Sequence, residues 1–197
     1  MGGERVTARP GVVAYCPLCG EKLVPKCGAV VHWHFAHRTK DCDPWREGES
    51  EWHLAWKEKF PPLRREIVVS RGGVKHIADV RLDSGYVLEF QHSTISFDDV
   101  MARNDFWGKV LWVFDARGVV ESGRFAMTPE SNYMKFRWKL PRKTIVPVIE
   151  KTDRRDVRVL LDFGDGRLFE IRNIWKGPKR TYGWGYFQPM SLFDNLR

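Results

Sequence analysis

Three strand-like runs in close succession, "RREIVVS", "VKHIADVRL" and "GYVLEFQHS", joined by "RGG" and "DSG", constrain this chain more than any other feature. Short glycine-bearing loops between β-rich runs demand antiparallel hairpins, and loop length sets which residues lie opposite one another. With "DSG" (83–85) as the loop, Leu82 faces Tyr86 and Asp79 falls opposite Glu89. With Gly72-Gly73 as the other loop, Arg71 pairs with Val74 and Glu66 falls opposite Asp79. Three carboxylates then lie side by side across three strands. Like charges directly opposed destabilise a sheet, so something must compensate. A divalent cation such as Mg²⁺ or Mn²⁺ does so, because Mg²⁺ is ordinarily held by one or two carboxylates plus substrate phosphate. Other loop lengths turn a strand over and leave the acids facing solvent on an ordinary two-sided sheet. Within "VLEFQHS", Glu89 and Gln91 alternate and so share one face.

The flanking segments supply helices and one further strand. "EGESEWHLAWKEKF" places Trp52, Leu54, Ala55, Trp56 and Phe60 in helical register and must stop at Pro61-Pro62. "SFDDVMARNDFWG" opens on Ser96 as N-cap, carries Asp98 and Asp99 in its first turn and ends near Gly108. "KVLWVFD" is a continuous apolar run of the kind buried in a sheet centre. From about Val120 the pattern turns to β-like pieces, "TIVPVIEK", "VRVLLDF" and "GRLFEIRNI", before an aromatic, glycine-rich tail, "TYGWGYFQPMSLF". The expected fold class is α/β (α+β), with residues 46–118 as the core, 119–197 as a basic, aromatic, β-rich region and 1–45 as a small module.

That first module is poor in apolar periodicity and rich in Cys and His, so a metal staple is expected in place of a packed core. Cys16-x2-Cys19 and His34-x2-His37, separated by a short intervening segment, suit tetrahedral Zn²⁺. Gly20 gives the turn that aims both sulfurs inward. His34 is the favoured fourth ligand, Cys42 is the alternative and Cys27 a further contender. A site closed by four protein ligands is structural.

At 197 residues with 43% hydrophobic content, the chain can bury a sizeable core, which argues against disorder. The sequence has no basic-apolar leader and no apolar run long enough for a membrane helix, so a cytoplasmic protein without a membrane span is expected. The net charge of +8 is uneven: residues 1–115 hold 16 Lys+Arg and 16 Asp+Glu, and residues 116–197 hold 17 and 9. A basic, aromatic-laced half suits a polyanion such as nucleic acid, although a merely basic soluble face reads the same way. "MKFRWKLPRK" alternates Lys135, Arg137 and Lys139 with Phe136, Trp138 and Leu140, and "WKGPKRTYGWGYF" repeats the pairing of cations with aromatics.

Taken in order, "GESEWHLAWK", "IADVRL", "LEFQHSTIS" and the Arg103-bearing helix leading to "LWVFD" resemble the competence-protein CoiA-like nucleases, a branch of the PD-(D/E)XK nuclease superfamily. The resemblance spans about residues 14 to 115 and includes the Cys/His segment. It implies a restriction-endonuclease-like core and metal-dependent DNA hydrolysis, with Asp79 and Glu89 as the Mg²⁺ or Mn²⁺ ligands and Glu66 as a possible third. Gln91 stands where the superfamily usually carries lysine, as it does in the CoiA-like branch. The family pattern Glu-Ser-x-x-His-x-x-x-Lys falls on Glu49, Ser50, His53 and Lys57. These imply an extra ligand in Glu49, a proton acceptor or phosphate contact in His53 and the displaced cation in Lys57. Arg103 and Ser93 are expected phosphate contacts, with Ser93 equally a turn residue at the strand end. The rival class is a DNA-binding adaptor that keeps the fold without cleaving, and Gln91 is the residue that favours it.

Overall fold

The computed structural model of the chain describes residues 6–30, 33–39, 42–45, 50–139, 141, 144–153 and 155–195. It is a mixed α+β fold with a small three-stranded sheet and a large nine-stranded one. The small sheet comprises β1 (Ala14–Tyr15), β2 (Lys22–Lys26) and β3 (His34–Ala36) in sequential order.

The core follows as α1 (Glu51–Glu58), β4 (Arg65–Arg71), β5 (Val74–Arg81), β6 (Val87–Gln91), α2 (Phe97–Trp107) and β7 (Val110–Asp115). This is the expected order of helix, three antiparallel strands, helix, strand. Both hairpins have the expected loop lengths. Gly72 and Gly73 both take positive φ, the left-handed pair that a tight hairpin loop needs, and Arg71 lies opposite Val74. Across "DSG", the Leu82 N–H donates to the Tyr86 carbonyl at 2.9 Å, and Val80 pairs with Leu88. Ser50 caps α1 and Ser96 caps α2, accepting from His53 N and Asp99 N respectively.

The second half is α3 (Arg117–Glu121), β8 (Phe125–Pro129), β9 (Met134–Trp138), α4 (Ile145–Lys151), β10 (Val157–Asp162), β11 (Leu168–Lys176), β12 (Thr181–Gln188) and α5 (Leu192–Asn195). The sheet order is β4-β5-β6-β7-β10-β11-β12-β9-β8, with β6, β7 and β10 parallel. Residues 119–197 thus extend the same sheet, because β10 lies directly beside β7. One expected strand is a helix: "TIVPVIEK" forms α4. Its apolar residues Ile145, Val146, Val148 and Ile149 are all buried, and Pro147 sits in the first turn, where a helix loses no hydrogen bond to it. Leu140 lies outside the described residues.

Alternation along β7 divides the core into two faces. Val110, Trp112 and Phe114 join one apolar cluster with α2 and α4, whereas Leu111 and Val113 join another with Trp52 and Trp56 of α1. On β12 the side facing the α4 cluster holds Gly183 and Gly185 between the buried Thr181 and the half-buried Phe187. A Cβ on Gly183 would stand 2.2 Å from the Asn173 carbonyl, and one on Gly185 2.1 Å from the Glu170 carbonyl. The Phe136 and Phe169 rings fill that space against bare backbone. Gly185→Ala is therefore expected to cost about 2 kcal/mol or more through forced displacement, which at this chain length lowers the melting midpoint by roughly 4–8 °C. An unchanged midpoint in a thermal melt would contradict this packing.

Candidate functional site

Two polar clusters stand out, one in the N-terminal module and one at the junction of α1 with β5 and β6. In the first, Cys16, Cys19, His37 and Cys42 each offer one ligand atom, and these atoms all lie within 4.8 Å of one another. Cys16 Sγ is 3.6 Å from Cys42 Sγ, and Cys19 Sγ is 3.3 Å from His37 Nε2. A tetrahedral zinc with bonds of about 2.3 Å to sulfur sets ligand atoms about 3.8 Å apart, so the set fits structural zinc. Gly20, at positive φ, closes the thiol-bearing turn by donating to the Cys16 carbonyl, as its place in Cys-x2-Cys-Gly implied.

The fourth member of the cluster is Cys42, not His34. His34 lies in β3 and His37 just beyond it, and in an extended chain an odd spacing points two side chains to opposite faces. Bending the pair onto one metal would break the pairing of β3 with β2. The surroundings shift the acidity of two of the thiols in opposite directions. A backbone hydrogen bond at Glu21 and then His37 bring the Cys19 thiol down to about 7. Burial and the neighbouring sulfurs push Cys42 up to about 12.

The second cluster begins where β5 and β6 part. Their pairing covers Arg81↔Val87 and Val80↔Leu88, and beyond it the Phe90 N–H donates to Asp79 Oδ2 at 2.9 Å. A backbone N–H lies in the plane of its sheet, so the Asp79 carboxylate occupies the fork between the strands. His53 Nε2, from α1, lies 2.9 Å from the same oxygen. One turn on, Lys57 bonds Glu66 Oε1 at 3.0 Å. The i, i+4 face of α1 therefore rests on the acids, as its spacing predicts.

Glu89 is held from the other face of the sheet. Arg103 of α2 donates to Glu89 Oε2 at 3.0 Å, and Glu89 Oε1 is buried with no hydrogen-bond partner among the described residues. Burial raises Asp79, but His53, Lys57 and the Phe90 N–H together outweigh it and hold the carboxyl below its usual range. For Glu89 the balance is reversed. Burial first and the Asp79 charge second push it to about 8 despite Arg103. At neutral pH this carboxyl keeps a proton unless another cation arrives. Asp79 and Glu89 are the residues here that could hold a divalent cation.

Several sequence expectations are corrected here. The row of three carboxylates does not form, since Glu66 takes positive φ, drops out of the β4–β5 pairing and turns to Lys57. Among the described residues only the Cys/His set brings three or more ligand atoms within 4.8 Å. Arg103 is no surface phosphate contact: it is 7% exposed and spends its guanidinium on Glu89 and the Trp45 carbonyl. Ser93 accepts from the Gln91 amide through its hydroxyl at 3.0 Å and its carbonyl at 3.2 Å, which makes it a turn partner of Gln91. Glu49 lies outside the described residues. Trp52 and Trp56 are core, with both indole N–H groups donating to Asp162 Oδ2 at 2.7 and 2.8 Å.

Sequence reasoning missed the segment that joins the two clusters. Directly after Cys42, the buried Asp43 lies 2.8 Å from His76 Nδ1 and accepts from Ile77 N–H on β5 at 2.9 Å. Trp45 stacks on His76 with ring centroids 3.4 Å apart, and the Arg103 guanidinium sits 5.6 Å from the Trp45 ring. The signal was available: an Asp-Pro-Trp step follows the last cysteine, and a lone histidine stands in an otherwise β-patterned strand.

Comparison with known proteins touches the first cluster alone. Residues 13–44 match the family model described as Competence protein CoiA, N-terminal domain. The match contains all the clustered Cys and His residues and ends just before Trp45. No curated protein and no solved structure matches the chain. Among the described residues, no helix is long and apolar enough to cross a membrane.

Elemental analysis should find about one zinc per chain, retained in His34→Ala and lost in Cys42→Ser. Retention in Cys42→Ser with loss in His34→Ala would reverse the ligand assignment. The fork sets a pH dependence. The folded chain holds a proton on Glu89 that the unfolded chain releases above about 4.5, so this contribution to stability is full at low pH. It falls as pH rises from about 4.5 to about 8, by an amount on the order of a few kcal/mol. Without added Mg²⁺, Glu89→Gln should lose less stability than the parent across this interval in denaturant titrations. Parallel losses would contradict the raised pKa of Glu89.

Proposed function

We propose that this chain is a Mg²⁺- or Mn²⁺-dependent DNA nuclease on a PD-(D/E)XK-type core, acting in competence or related DNA processing. The observation that carries the proposal is Glu89 Oε1: a buried carboxylate oxygen without a partner among the described residues, beside Asp79, in a fork that burial and mutual repulsion make short of positive charge. The association with competence rests on the match of residues 13–44.

In this reading Asp79 and Glu89 are the ligands. A divalent cation, when bound, supplies a Lewis acid for the scissile phosphate and lowers the pKa of a bound water. His53, 2.9 Å from Asp79, accepts and passes on the proton released at the attacking oxygen. Lys57, buried and fixed by Glu66, contributes the positive charge that lysine supplies elsewhere in the superfamily. Gln91 is anchored by Ser93 and orients water without adding charge. Arg103 holds Glu89 in place and does not touch substrate.

One observation favours the second reading, a DNA-binding adaptor without cleavage: the Gln91 amide already donates to Ser93, and a neutral amide cannot replace a cation. Incubation of the zinc-loaded protein with single-stranded and duplex DNA, with Mg²⁺ or Mn²⁺, separates the two. Metal-dependent cleavage is expected, reduced roughly 100-fold or more in Asp79→Ala and in Glu89→Ala. Binding without cleavage under every condition establishes the adaptor. Cleavage unchanged by either substitution removes the fork from the chemistry.

A further inference from the structure

β12 is built inside out for an ordinary strand. Its central inward positions are Gly183 and Gly185, flanked by Thr181 and Phe187, while Tyr182, Trp184 and Tyr186 alternate onto the opposite face. On β11, Trp175 stands directly across from Tyr182, with rings stacked at 6.4 Å between centroids and 19° between planes. On the other flank Arg137 of β9 lies opposite Tyr182 and is exposed. Trp175 is 46% exposed and Tyr182 37%, so the pair is not buried by any described element. Residues 171–188 of the β11–β12 hairpin contain no Asp or Glu, Glu170 opposite Tyr186 is buried and bonded by Arg158 and Arg172, and the tip carries Lys179 and Arg180, both exposed.

We propose that this face, with the Trp175–Tyr182 pair at its centre and the tip cations beside it, is a stacking platform for single-stranded DNA. Every base offers a π-face to an open aromatic ring, and the phosphates between bases meet the cations. A duplex keeps its bases stacked on one another and cannot use the rings. An apolar protein partner would have no use for this basic rim, on which the carboxylates Glu170 and Glu130 are already paired with Arg158, Arg172 and Lys135. The choice of DNA over RNA rests on the nuclease reading above; the platform itself does not.

The test is fluorescence anisotropy of a labelled oligothymidylate of about 20 nucleotides, of its duplex and of the matching oligouridylate, in buffer free of divalent cations so that no cleavage intervenes. Trp175→Ala/Tyr182→Ala should weaken single-strand binding about 10-fold or more and leave duplex binding within about 2-fold. Lys179→Ala/Arg180→Ala, at a loop tip outside the core, should flatten the salt dependence by a slope of about 1.4, at about 0.7 per cation. Thermal melts of both variants report on folding. If the aromatic variant fails to fold, an unchanged salt slope in the cation variant still overturns the proposal. Unchanged single-strand affinity in a folded aromatic variant overturns it, and tighter binding of oligouridylate overturns the assignment to DNA. A variant that turns a self-associating parent monomeric, with oligonucleotide affinity intact, reassigns the face to a second copy of the chain. A protein that never cleaves but loses single-strand binding in the aromatic variant refutes the nuclease reading and leaves the platform standing.

Discussion

The guanidinium of Arg103 is the point on which both halves of the site depend. It donates to Glu89 on one side and to the Trp45 carbonyl on the other, with the Trp45 and Trp112 rings at 5.6 and 5.9 Å. Removing one partner of such a buried pair typically costs about 3–5 kcal/mol, because the remaining charge is stranded away from water. Trp45 is in turn fixed by Asp43 and His76, and Asp43 follows Cys42 directly. Cys42, a member of the cluster that could hold zinc, thus lies within a few residues of the ring that seats Arg103. A metal held by this cluster would order a module too small to form a core of its own, and Cys42-Asp43-Pro44-Trp45 joins that module to the sheet.

The fork gives two carboxylates opposite characters. Asp79 lies among donors and stays ionised; Glu89, in a drier place and repelled by Asp79, holds its proton to about 8. Burial and mutual repulsion drive the two neighbouring acids apart in this way. The strain at Glu66, a non-glycine residue with positive φ, belongs to the same arrangement. It delivers the Glu66 carboxylate to Lys57 and leaves the fork to Asp79 and Glu89.

How much of this was legible in the sequence follows from which features are local. Turn chemistry is local: "RGG" and "DSG" set loop lengths, loop lengths set register, and the predicted pairings of Arg71 with Val74 and Leu82 with Tyr86 hold. Helix caps are local, so Ser96 and Gly108 bounded α2 correctly. Side-chain partners across the fold are not. No local pattern foretells that Glu66 leaves its pairing, or that Arg103 turns inward to Trp45. The choice between His34 and Cys42 needed the strand path of β3, which makes His34 and His37 diverge. "TIVPVIEK" is rich in β-branched residues, yet burial on one helical face overrides that preference. Charge asymmetry flagged the second half as basic, but its junction with the core, through β10 beside β7, is a long-range pairing that neighbouring residues do not encode.

Capture of a divalent cation by Asp79 and Glu89 is the central claim, and the electron paramagnetic resonance of Mn²⁺ titrated into the zinc-loaded protein tests it most directly. Mn²⁺ is expected to bind the parent protein, and this binding is expected to be lost in Asp79→Asn and Glu89→Gln. Absence of bound Mn²⁺ in the parent, or equal binding in both variants, would contradict it.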